Sequence, residues 1–81
     1  MREKTEKVVV TFSTTTDAIA FEAAAKDDPA AIPGRIIPVP SEISAGCGLS
    51  WCAEKGERAR LLAGIESKSL SYEALHSVRM Y

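Results

Sequence analysis

From Val8 to Phe12 the chain runs Val-Val-Val-Thr-Phe, a β-branched stretch that favours a pleated strand. Alternation puts Val8, Val10 and Phe12 on one face and Val9 and Thr11 on the other. Ser13-Thr14-Thr15-Thr16-Asp17 then reads as a helix start. Its hydroxyls can accept from free backbone N–H groups, and an acid follows in the first turn. Ala18 to Lys26 is alanine-rich and predicts a helix with Ala18, Phe21 and Ala25 inward and Ile19 at the margin. Asp27-Asp28-Pro29 ends it, because the residue before proline is pushed out of the α region. Pro33-Gly34 marks a turn. Arg35 to Val39 predicts a second strand, and Pro38, with no N–H to donate, assigns it to a sheet edge. Leu49 to Ala53 predicts a third strand, with Leu49 and Trp51 on one face and Ser50 and Cys52 on the other. Glu54 to about Ile65 predicts a second helix, with Ala59, Leu62 and Ala63 at helical spacing. Glu66 to Leu70 reads as a polar linker, and a last strand follows from about Ala74.

The order β-α-β-β-α-β is the ferredoxin-like plan of the α+β class: a two-layer sandwich with a four-stranded antiparallel sheet. Two helices cover one sheet face, over Val8, Val10, Phe12, Leu49 and Trp51. Each large side chain buried there contributes roughly 1.5–3 kcal/mol before conformational entropy is subtracted. The other face, near Val9, Thr11 and Cys52, stays open or meets a partner, and a homodimer through it is the expectation.

Composition narrows the class. With 81 residues, 46% hydrophobic and 26% charged, the chain reads as one folded domain spanning residues 1–81. A formal net charge of -1 with interspersed signs points neither to nucleic acid nor to a basic partner. The apolar runs are too short to span a bilayer. The charged start, Met1-Arg2-Glu3-Lys4-Thr5-Glu6-Lys7, has no apolar signal-peptide region behind it, so a cytoplasmic location is expected. In that compartment both cysteines are expected to be thiols.

The candidate chemistry lies in Ser44-Ala45-Gly46-Cys47-Gly48. A thiol between two glycines has little side-chain cover, so the loop is expected to display its sulfur to a partner. In the ferredoxin-like plan this loop and the start of the first helix lie at one end of the sheet. Cys47 should therefore approach Ser13 to Thr16, where free N–H groups and the helix dipole favour a thiolate. Tyr72 should lie at that end too. Cys47 is the expected reactive residue, with Gly46, Gly48, Ser44, Thr14 and Thr15 in support.

The run Val8 to Thr14 with Asp17-Ala18, then Ile37-Pro38-Val39-Pro40, then Ile43 to Leu49, resembles a small bacterial family of selenium/sulfur carrier-like proteins, a domain-of-unknown-function type. The resemblance spans about Lys7 to Ile65, and its specific part is Pro38 to Leu49. It implies a ferredoxin-like fold and a carrier cysteine, which falls on Cys47 with Gly48 beside it. The positions of Ser41 and Cys52 are often basic in such proteins and are not so here. The resemblance further implies a carrier more than an enzyme. It would accept sulfane sulfur from a cysteine desulfurase or similar donor as a persulfide on Cys47, pass it to an acceptor protein, and need no cofactor. Selenium could follow the same route.

Each of these residues has a plainer reading. Cys47 can be a small residue in a tight turn, and Thr14, Thr15, Thr16 and Asp17 a helix cap. Cys52 can be an incidental thiol, and Trp51 core. Cys47 and Cys52 would lie about 16 Å apart in one extended segment, too far for a disulfide. Cys47, Cys52 and His76 lack the number and spacing of a metal site. Two rival functions stand beside the carrier: a non-catalytic protein-binding or assembly module, and a thiol-redox sensor using Cys47.

Overall fold

The computed structural model describes residues 4–26, 32–43 and 46–80. Its elements follow the expected order: strand β1 (Thr5–Thr11), helix α1 (Thr15–Ala25), strand β2 (Arg35–Pro38), strand β3 (Leu49–Glu54), a 3₁₀ turn (Lys55–Glu57), helix α2 (Arg58–Lys68) and strand β4 (Ala74–Met80). The four strands form one antiparallel sheet in the order β2-β3-β1-β4, and with the two helices they make an α+β two-layer sandwich. Pro38 lies in the edge strand β2, as its missing donor requires.

Alternation along β1 and β3 divides the sheet as the sequence predicts. Val8, Val10, Phe12, Trp51 and Ala53 pack with Ala18, Phe21 and Ala25 of α1 and with Leu61 and Ile65 of α2. The aromatic rings join the layers: Phe21 meets Phe12 edge-on at 5.2 Å and Trp51 at 5.3 Å between ring centroids. Ile19 is the exposed margin of α1.

Two readings of the second helix need correction. It begins at Arg58, after the 3₁₀ turn, and continues to Lys68, so most of the expected polar linker is its last turn. Its buried residues are Leu61 and Ile65, while Ala59 and Ala63 are exposed and Leu62 is half-buried. Ser69 ends the helix in the left-handed region at φ 52°, and the N–H of Leu70 reaches back to the carbonyl of Ile65 at 3.0 Å.

Among the described residues no helix covers the other sheet face, yet it is not bare. Val9, Cys52 and Val78 are buried there beside Ile37, Ile43 and Met80. Lys7, itself largely buried, pairs with Glu54 across β1 and β3. The segment between β2 and β3 thus straddles the end of the sheet, with Ile43 on the helix-free face and Cys47 on the helical one.

Candidate functional site

Three segments meet at the end of the sheet where β1 stops. The first is the start of α1. Thr14 is its N-cap, in extended geometry, and its Oγ1 accepts from the N–H of Asp17 at 3.1 Å. The hydroxyl-rich run after β1 therefore becomes a cap followed by the first helical turn. The second segment enters β4, where the N–H of Glu73 donates to the carbonyl of Thr11 at 2.7 Å and Tyr72 stays exposed. The third is the connection from β2 to β3. Its neck is closed by the N–H of Val39 donating to the carbonyl of Gly48 at 3.1 Å, and a turn within it by the N–H of Ile43 donating to Pro40 at 2.9 Å.

Cys47 is where the third segment touches the first. Its Sγ lies 3.5 Å from Oγ1 of Thr15, the first residue of α1, and accepts from the N–H of Leu49 at 3.3 Å. The approach expected from the topology is therefore present, and the sulfur abuts the positive end of α1. Gly46 makes that approach possible. A Cβ at Gly46 would stand 2.7 Å from the carbonyl oxygen of Ser13, so only glycine lets the two backbones come this close. A Cβ at Gly48 would meet nothing within 4 Å, so that glycine faces open space. Ser44 lies outside the described residues.

The expectation of a displayed thiol is corrected. Cys47 is 5% exposed and belongs to the helical-side core cluster. The physical reason is the same close approach: Gly46 seats against Ser13 and tucks the next side chain inward. The signal that could have shown this is the pairing of a glycine with an adjacent helix start, which serves backbone proximity as readily as side-chain display.

The second thiol differs in its surroundings. Cys52 sits mid-strand on the helix-free face, opposite Val9 on one side and Arg35 on the other. Burial pushes its thiol above the ordinary value, while the charges of Arg35 and Lys7 pull it down and Glu54 adds to the rise. Both cysteines are free thiols on opposite faces of the sheet. His76 reaches the hydroxyl of Thr11 on that same helix-free face, at 3.4 Å from its Nε2. Among the described residues, no three His, Cys, Asp or Glu side chains gather in a way that could hold a metal ion. No helix among them is long and apolar enough to cross a membrane.

Comparison with known proteins adds one identification. No curated protein matches the chain. No solved structure matches it either. A family model does match, over residues 7–77, which contain most of β1, the Cys47 segment and the first four residues of β4. The chain therefore belongs to the family described as "Putative Se/S carrier protein-like".

Proposed function

We propose that the protein carries sulfur or selenium on Cys47, receiving it from a donor protein and releasing it to an acceptor. The observation that carries this reading is the setting of the Cys47 sulfur. In a cluster otherwise made of hydrocarbon, it has a backbone N–H and a threonine hydroxyl within hydrogen-bond reach, at the first turn of a helix. Such donors stabilise an anionic sulfur, which is the nucleophile in exchange chemistry. Membership of the carrier-like family, whose match spans the Cys47 segment, supports the carrier role.

The step is a sulfur exchange. The Cys47 thiolate attacks the terminal sulfur of the donor's persulfide. A new S–S bond forms at Cys47, the donor's S–S bond breaks, and the donor cysteine leaves as a thiolate that takes up the proton Cys47 gave up. Nothing is oxidised or reduced overall. Delivery to the acceptor repeats the step in the other direction. Because Cys47 is buried at rest, both exchanges require the β2–β3 connection to move away from α1. Gly46 and Gly48 flank the residue that must move.

Intact-mass measurement tests the reading. Incubation with a cysteine desulfurase and cysteine should add one reductant-labile sulfur to the protein and to its Cys52→Ser variant, and none to Cys47→Ser. Addition that persists in Cys47→Ser, or no addition at all, would rule it out. Selective oxidation of Cys47 by peroxide without sulfur loading would instead favour a redox sensor.

A further inference from the structure

The fold sorts charges that the chain intersperses. Between Lys7 and Lys26, between Arg35 and Lys55, and between Lys68 and Arg79 the sequence has no lysine or arginine. Those gaps contain the segments that meet at Cys47: the start of α1, the β2–β3 connection and the entry to β4. Each segment carries one acid. Asp17 is half-buried in the first turn of α1. Glu42 is exposed within the turn that Ile43 closes, and Glu73 is exposed where its N–H meets the carbonyl of Thr11. None of the three makes an ion pair with a described residue.

Toward the opposite end of the sheet the acids are matched. Glu6 pairs with Lys55, Glu54 with Lys7, Glu57 with Arg60, and Glu22 with Lys26 in the last turn of α1. Arg35, Arg58 and Arg79 add bases there. At the end of α2, Glu66 and Lys68 cancel in formal charge. The segments around Cys47 are thus left with three carboxylates and no base. A second observation points to the same end. Among the described residues, the exposed large hydrophobic side chains are Ile19 and Tyr72. Ile19 lies one turn along α1 from Thr15, and Tyr72 directly precedes Glu73. Exposed apolar groups edged by charge suit a protein contact, and unmatched charge of one sign steers encounters with the other.

We propose that the Cys47 end docks a protein whose reactive cysteine is ringed by lysine and arginine, with Ile19 and Tyr72 supplying apolar contact. The inference rests on the carrier reading for what passes through Cys47, and adds to it the surface that the partner presents.

Thiol–disulfide exchange in the Cys52→Ser protein tests it, because Cys47 is then the one thiol left to react. The probes are the peptides Lys-Lys-Cys-Lys-Lys and Glu-Glu-Cys-Glu-Glu, each with its sulfur joined to 2-thiopyridine. The Cys47 thiolate attacks the peptide sulfur, an S–S bond forms between them, and pyridine-2-thione leaves with the proton that Cys47 gave up. Each rate is divided by that of uncharged N-acetylcysteinamide with the same probe. On that scale the lysine peptide should react at least about tenfold faster than the glutamate peptide at low salt. The ratio should fall toward one in about 1 M salt, where the screening length is about 3 Å. Neutralising the three acids together, Asp17→Asn with Glu42→Gln and Glu73→Gln, should remove the preference, whereas Glu22→Gln with Glu57→Gln should keep it. Equal rates, a faster glutamate peptide, a preference that survives the triple variant or high salt, or no exchange at Cys47 would each overturn the proposal. The exchange needs no sulfane sulfur, so the docking surface and the cargo can fail independently.

Discussion

The two cysteines make a natural contrast, since both are almost equally hidden, at 5% and 4% exposure. Cys47 stands in a connection at the end of the sheet, touching a helix start, with two polar partners at its sulfur. Cys52 stands in the middle of a ladder between two strands, among Val9, Val78 and Ile37, and no hydrogen bond among the described residues reaches its sulfur. Low exposure by itself therefore says little about a thiol's chemistry. What differs is the environment a thiolate would find, and how much of the fold must move to free it.

The largest expected difference is in thiol labelling of the folded protein. Cys47 should react with a maleimide at least about tenfold faster than Cys52 near neutral pH, because its segment can open locally and because burial lowers the thiolate fraction of Cys52. Peptide mapping after timed quenching gives the ratio, and equal rates would remove the contrast. Next in size is Gly46→Ala. The added methyl strikes the Ser13 carbonyl and should cost about 1–3 kcal/mol in denaturant midpoint analysis. Gly48→Ala should stay within about 0.5 kcal/mol. A smaller change follows from Thr15→Val, which leaves the Cys47 sulfur with the Leu49 N–H alone. Stability should fall by about 0.5–1.5 kcal/mol, and labelling of Cys47 should respond while that of Cys52 does not. The smallest effect belongs to Cys52 itself and is confined to alkaline solution. Its thiol is raised in the folded state, so the fold favours the protonated form. That contribution is complete below the ordinary thiol value of 9.0 and is lost as pH rises from there through the raised folded value. Urea titrations of the native protein and of Cys52→Ala should converge in slope with pH below 9.0 and diverge above it, the native chain declining more steeply.

Much of the architecture could be read from residue order because the strong signals agree locally. The Val8–Phe12 run, the edge-seeking Pro38 and the alternation in Leu49–Ala53 each point to one arrangement, and the sheet order follows. The phase of α2 was less legible. Alanines supply the spacing but little burial energy, and the 3₁₀ turn at Lys55–Glu57 rotates the helix so that Leu61 and Ile65, the larger side chains, face inward. The approach of Cys47 to α1 was readable from topology, because it depends on which loops share an end of the sheet. Its burial was not read, because it depends on an ångström-scale fit of Gly46 against Ser13, and a glycine facing a helix start serves backbone proximity as readily as side-chain display.

The enclosure of Cys47 has a consequence for whatever that atom carries. On the carrier reading, a loaded sulfur would spend its journey out of reach of bulk reductants and stray electrophiles, guarded by the same seat of Gly46 on Ser13 that hides the empty thiol. The frequency with which that seat lifts, rather than the intrinsic speed of sulfur exchange, would then set the pace of delivery, and a docking protein that pries it open would be choosing the moment of release.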